Sequence, residues 1–198
     1  MKRVREENVN TIEYWDRVYA RERESGRRRL YTDLWNSMLQ YLPPGCYSLV
    51  DIGCGAGEFL RFISERRPEY LLYGTDWSVE GLRTAAQCCP QAALYQAVAG
   101  SFNLPRDDFD LAVCSEVMEH VPEPASFLDR VIRVVRPSGR ILITTPWEWG
   151  ASDPEHLWDY EGSEDFVALA PGEVELVAST IANAGRTLIT VLRRKSSS

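Results

Sequence analysis

Two histidines stand in this sequence, and both stand among acids. His120 closes the run Glu116-Val117-Met118-Glu119-His120, and His156 follows Asp153-Pro154-Glu155. Imidazole is the side chain best suited to take a proton near neutral pH, so each is a candidate general base toward a hydroxyl, with Glu119 beside it. Two carboxylates and an imidazole spaced as Glu116-x-x-Glu119-His120 also suit a divalent ion, with His156 as a fourth ligand. Plainer readings stand next to these: His120 as a turn residue and His156 as a surface-loop residue.

A second group of chemically useful residues is Leu49-Val50-Asp51-Ile52-Gly53-Cys54-Gly55-Ala56-Gly57-Glu58-Phe59. The apolar run predicts a buried parallel strand, and the glycines a tight turn whose backbone a ligand can approach. The helix after it offers unpaired N–H groups. A dinucleotide loop wants G-x-G-x-x-G, but counting from Gly53 the third glycine falls at Glu58. A P-loop needs a lysine, and none is near. What remains is Asp51 directly before the glycines, where a carboxylate suits a ligand amine better than a pyrophosphate. Asp76, at the end of Tyr73-Gly74-Thr75, lies 19 residues beyond Gly57 and can accept both hydroxyls of a ribose. Trp77 packs either on a purine face or over the sheet end. Cys54 reads as a small buried thiol.

These residues need elements to position them. Strands are expected at Ser48–Ile52, Leu71–Thr75, Ala93–Val98, Asp110–Ser115 and Gly139–Thr145, with helices at Glu58–Arg67, Val79–Cys89 and Pro124–Val135. Such alternation predicts an α/β fold, a mostly parallel sheet with helices on both faces. His120 then follows the fourth parallel strand and His156 the fifth, at the end where such sheets bind ligands. Upstream, Ile12, Trp15, Val18 and Tyr19 share one face of a helix over Thr11–Ala20, and a second helix runs over Leu30–Tyr41. Residues 1–10 read as frayed. Arg27-Arg28-Arg29 reads as a solvated loop or as a clamp for a phosphate or carboxylate. Downstream, Trp147 to Gly162 reads as a substrate lid whose rings stack on the acceptor, or as a packed connection. Ser78 and Ser163 are expected N-caps. Glu173–Ser179 and Arg186–Arg193 read as an antiparallel pair turning at Asn183-Ala184-Gly185, with a helix over Val174–Ala182 as the alternative.

Composition narrows the class. The 198 residues suit one domain, divided here into a helical cap over 1–44, a cofactor core over 45–146 and a substrate loop with C-terminal strands over 147–198. A net charge of −7 argues against a nucleic-acid or membrane-surface binder. No run is long enough to span a bilayer and the N-terminal residues lack a secretion signal, so a cytoplasmic protein is expected. The cysteines number five without a C-x-x-C pair, which suggests neither disulfides nor zinc.

Taken together, Val50 to Gly57, Gly74 to Ser78, Asn103-Leu104-Pro105 before Phe109-Asp110-Leu111, Cys114 to Val121 and Pro137 to Pro146 resemble the class I S-adenosylmethionine-dependent methyltransferases of the small-molecule type. Tyr14-Trp15-Asp16 and Tyr19 are similar to the first helix of that group. The resemblance implies a Rossmann-like seven-stranded sheet ending in an antiparallel hairpin. It implies that Gly53, Gly55 and Gly57 approach the methionine part of S-adenosylmethionine, that Asp76 holds the ribose and that Trp77 flanks the adenine. It also implies an adenine-binding acid at position 100, where this sequence has Gly100; the contact is then expected from Ser101, beside Phe102, or from backbone. With Asp51, Cys54 and Glu116 these complete the expected cofactor set. The Glu-His signature resembles that of magnesium-binding O-methyltransferases, but it is also common in family members without metal, and no metal ligand is assigned. The expected function is methyl transfer to a small-molecule hydroxyl of a sugar, nucleotide sugar or natural product, by a monomer or homodimer. N-methylation, metal-assisted O-methylation and a non-catalytic cofactor-binding module are the alternatives.

Overall fold

Apolar residues at alternate strand positions decide the architecture. It is seen in a computed structural model that describes residues 1–25, 31–43, 45, 47–97, 101–148 and 153–196. The arginine cluster 27–29, Gly100, Cys46 and Trp149 lie outside the described residues. In chain order the elements are β1 (Lys2–Arg3), α1 (Ile12–Ser25), α2 (Thr32–Leu39), β2 (Ser48–Ile52), α3 (Glu58–Arg66), β3 (Leu71–Asp76), α4 (Val79–Cys88) and β4 (Ala93–Gln96). They continue with β5 (Phe109–Ser115), a 3-10 turn (Met118–His120), α5 (Pro124–Val134), β6 (Val135–Pro146), β7 (Trp158–Asp159), α6 (Glu164–Leu169), β8 (Val174–Ala182) and β9 (Thr187–Arg194).

The main sheet has seven strands in the order β4-β3-β2-β5-β6-β9-β8. β2 to β6 are parallel, and β9 and β8 are antiparallel additions. Val50, Ala112, Cys114, Ile141 and Ile143 face one layer with α5 and α6, while Leu49, Leu111, Val113 and Leu142 face the other with α2 and α3. Both faces are thus covered, as a parallel sheet requires. The strand order reverses between β2 and β5, so a crevice opens at their carboxyl ends. The glycine loop leaves β2 there, and Glu116 to His120 leave β5 there.

The expected mixed sheet with its antiparallel end is present. β8 and β9 pair from Val174 with Arg194 to Ala182 with Thr187, which settles the segment 174–182 as strand rather than helix. β6 starts earlier than Gly139, because Val135 already pairs with Phe109 across a bulge. The expectation of frayed residues 1–10 is corrected. Lys2 and Arg3 pair with Asp159 and Trp158, the Val4 N–H donates to the Leu157 carbonyl at 2.9 Å, and Asn10 is buried. Ser163 precedes α6 but makes no capping bond. Its hydroxyl is instead engaged by Ser179 at 2.7 Å and Thr190 at 2.6 Å. Ser78 does cap α4, accepting from the Gly81 N–H at 3.0 Å. Its hydroxyl in turn donates to Asp16 of α1 at 2.5 Å, which docks α1 beside the crevice.

Candidate active site

The loop after β2 is held by backbone bonds. The amides of Gly53 and Cys54 donate to the Thr75 carbonyl at 2.8 and 3.1 Å, and the Gly57 amide to the Cys54 carbonyl at 2.9 Å. At Gly53 the φ of +79° and a Cβ position only 2.5 Å from Val117 Cγ2 both require glycine. At Gly55, with φ +50°, a Cβ would meet the Tyr19 hydroxyl at 2.6 Å, so α1 closes on the bare backbone of the loop. Asp76 joins the pieces: its Oδ2 accepts from the Gly55 amide at 2.9 Å and its Oδ1 from the Ser78 amide at 2.8 Å. A carboxylate has further lone pairs for a diol.

Two adjoining cavities result. One, of about 280 Å³, is lined by Asp76, Trp77, Ser101, Phe102, Val117 and Pro122. The other, of about 260 Å³, is lined by Asp51, Cys54, Gly55, Glu119, His156 and their neighbours. Trp15, Tyr19, Gly53, Glu116 and His120 line both. The cofactor residues expected from sequence therefore border this pair of cavities, Gly57 excepted, which caps α3 behind the loop. Cys54 borders it too, but its thiol packs into the core beside Gly74, and burial pushes the thiol well up.

Burial dominates the electrostatics. Asp51 is 3% exposed, and desolvation, then the nearby Asp76, push it up to about 8. Asp76 is pushed up to about 6 by burial, against the amides that donate to it. Glu116, in the left-handed region at φ +56°, is pushed up to about 7 by burial although Thr144 Oγ1 donates to it at 2.9 Å. Glu119 is raised well above the usual range by burial and then by Glu116; neither of its oxygens has a hydrogen-bond partner among the described residues.

Both histidines converge on this point, their ring centroids 5.1 Å apart. His120 Nδ1 lies 3.0 Å from the Glu155 carbonyl. A carbonyl only accepts, so Nδ1 carries a proton, and in the neutral ring Nε2 carries the lone pair. Nε2 is 3.7 Å from Glu119 Oε1. His156 is buried, and desolvation lowers its pKa against the pull of Asp153 and Glu155. Glu119, His120 and His156 offer ligand atoms within 4.8 Å of one another, a donor set that suits a divalent ion. Glu116, which the spacing put in that set, is outside it and bonded to Thr144.

Of the two readings of the segment 147–162, the described rings follow the packed connection rather than the lid. Trp158 Nε1 donates to the Val121 carbonyl at 2.8 Å, the Tyr160 hydroxyl to the Met118 carbonyl at 3.2 Å, and Trp147 packs on the core. Trp158 and Tyr160 clamp the turn that carries His120. From this loop Asp153, Glu155 and His156 reach the cavity, and its aromatic walls come from Trp15, Tyr19, Tyr31, Trp35 and Phe59. In the sequence Trp15 and Tyr19 read only as part of an apolar helix face and of a resemblance. Tyr31 and Trp35 gave no signal beyond amphipathic spacing.

A glycine loop, an acid before it, an acid at the next strand tip and a base beyond the fourth strand, all at the switch point of this sheet, define a nucleoside-cofactor enzyme site. The chain matches, over residues 50–143, the family model described as a methyltransferase domain. It is 34% identical over 109 residues to trans-aconitate 2-methyltransferase of Azoarcus sp. strain BH72, covering 55% of this chain and 42% of that one. It is 31% identical over 101 residues to ubiquinone biosynthesis O-methyltransferase of Methylococcus capsulatus, covering 48% and 42%. The match thus spans less than half the length of these relatives. In fold it is similar to a chain of the complex between the Haloferax volcanii Trm112 methyltransferase activator and a methyltransferase, with a TM-score of 0.78, 15% identity, and 92% and 98% of the two chains covered. No described helix is long and apolar enough to cross a membrane.

Proposed function

We propose that the protein transfers a methyl group from S-adenosylmethionine to a hydroxyl of a small-molecule acceptor, with His120 as the general base. The observation that carries this reading is that His120 and Glu116 line both cavities, which places His120 between the compartments this reading gives to donor and acceptor. The residues present fit the donor. Asp51 is a buried carboxyl facing the cavity and suits its ammonium, Asp76 suits its ribose, and Trp77, Ser101 and Phe102 border the adenine end. When bound, S-adenosylmethionine supplies an electrophilic methyl on a sulfonium, and its sulfur keeps the electron pair of the broken carbon–sulfur bond. His120 Nε2 takes the hydroxyl proton as the new carbon–oxygen bond forms. The Glu155 carbonyl holds the base in that tautomer, and Trp15, whose ring centroid lies 5.3 Å from that of His120, fixes its plane. Substrate-sized walls contribute mainly by orientation.

Acceptor screening with His120→Asn tests the assignment. Turnover should fall about 10²- to 10⁴-fold while S-adenosylhomocysteine still binds; full turnover in the variant removes His120 from the mechanism. A second reading rests on the buried, unpartnered Glu119 beside two imidazoles: Glu119, His120 and His156 would hold a divalent ion, which would add Lewis-acid activation of the hydroxyl. Chelation with EDTA abolishes turnover under that reading and leaves it intact under the first.

A further inference from the structure

Within the second cavity the charge is one-sided. Beyond Asp51, which serves the donor in the reading above, and Glu116, which the sequence places in the cofactor set, its lining includes Glu22, Glu58, Glu119, Asp153 and Glu155. Among the described lining residues Arg186 is the one guanidinium. Acids alone do not make a site, but Glu119 adds a second fact. It is 1% exposed, it lines the cavity, and both of its carboxyl oxygens lack a hydrogen-bond partner. A buried polar group left so is expensive and asks for a donor. The same cavity is lined by the aromatic rings of Trp15, Tyr19, Tyr31 and Trp35, and aromatic rings attract organic cations.

We infer that the acceptor is an amino alcohol, a small molecule whose protonated amine sits on Glu119 beside the hydroxyl that is methylated. This rests on the hydroxyl-methylation reading and names its substrate class. The 3.7 Å between Glu119 Oε1 and His120 Nε2 sets the geometry: an ammonium and a hydroxyl on neighbouring carbons reach the anchor and the base together. An ammonium also supplies several donors to the two empty oxygens. Carboxylate-bearing acceptors are repelled by the same acids.

Calorimetry on the full chain saturated with S-adenosylhomocysteine, in buffer containing a chelator, tests this with three probes of one shape. Phenylglycinol, styrene glycol and tropate share a phenyl ring and a hydroxymethyl group and differ in bearing an ammonium, a hydroxyl or a carboxylate. Phenylglycinol should bind at least about tenfold tighter than styrene glycol, with tropate weakest. Glu119→Gln should bring phenylglycinol down to the level of the glycol. Equal binding of the three by the unmutated protein overturns the inference, as does a preference that survives Glu119→Gln. If that variant loses its fold, Asp153→Asn replaces it: a smaller drop in the amine preference supports the inference, and no drop overturns it. Magnesium chloride titrated without chelator is the remaining arm. Binding that Glu119→Gln abolishes, with no amine preference, assigns the carboxylate to an ion and also overturns the inference. Failure of the unmutated protein to bind S-adenosylhomocysteine is a different result, which refutes the methyltransferase reading itself.

Discussion

The contact between Gly53 and Val117 makes the cofactor loop and the His120 turn one mechanical unit, and Gly53→Ala measures how tightly. Two costs add. A Cβ at φ +79° is strained by about 1 to 2 kcal/mol. The new methyl also lands 2.5 Å from Val117 Cγ2, and overpacking of this kind costs about 1 to 3 kcal/mol. Val117 cannot rotate away cheaply, because a β-branched side chain is stiff at χ1, and Glu116 before it is fixed by its backbone and by Thr144. The sum, about 2 to 5 kcal/mol, is a large part of a domain's stability and lowers the thermal midpoint by several degrees. Val117→Ala removes the overlap and leaves the strain. The double variant should therefore recover about 1 to 3 kcal/mol relative to the sum of the singles. Thermal unfolding of the four proteins, with S-adenosylhomocysteine affinity measured on each, gives the coupling in both stability and binding. Additivity to within about 0.5 kcal/mol would refute the argument that the loop and the turn touch.

Three further outcomes follow from the same geometry. The pKa of Asp51, Glu116 and Asp76 is raised in the fold, to about 8, about 7 and about 6, from ordinary carboxylate values. The stability these groups contribute is complete below the ordinary range and is lost as pH rises, so the melting temperature of the ligand-free protein should fall from about pH 5 to about pH 8. Asp51→Asn should flatten the upper part of that slope, and an unchanged profile would count against a raised Asp51. Asp16→Ala removes the acceptor for the Ser78 hydroxyl and the Glu80 amide; it should cost about 1 kcal/mol and speed hydrogen exchange at the start of α4, which exchange mass spectrometry reads. Trp158→Phe removes the donor to the Val121 carbonyl and should lower turnover more than cofactor affinity, since the turn under His120 loosens while the glycine loop does not; equal losses in both would place Trp158 elsewhere in the mechanism.

Most of the sheet was legible because its signals are local. Leu49-Val50 before Asp51, and the runs ending at Asp76 and Ser115, are short apolar strands bounded by glycine, proline or an acid. What stayed hidden depends on partners far away in sequence. Residues 1–10 look like a frayed polar end until Lys2 and Arg3 meet residues 158 and 159 and the Asn10 side chain meets the Glu155 carbonyl at 2.8 Å. Ser163 has the local marks of a cap, but Thr190 and Ser179 outbid the helix amides for its hydroxyl. The site divided in the same way. The acids Asp51, Asp76 and Glu116 and both histidines, which line or border the two cavities, could be named from spacing. Whether the rings of the segment 147–162 face the acceptor or the core stays open in the sequence, because composition says that a loop is aromatic and not which way its rings turn.

The Glu155 carbonyl accepts from the Asn10 side chain and stands against His120 Nδ1, while the Glu155 carboxylate accepts from the Tyr14 hydroxyl. One peptide unit therefore works as an interlock. Under the reading proposed above, the loop cannot lift from the cavity without also releasing the His120 imidazole from the tautomer in which it acts as base. An open pocket is under that reading a disarmed one: water that enters before the acceptor would meet the donor cofactor with no base prepared to deprotonate it.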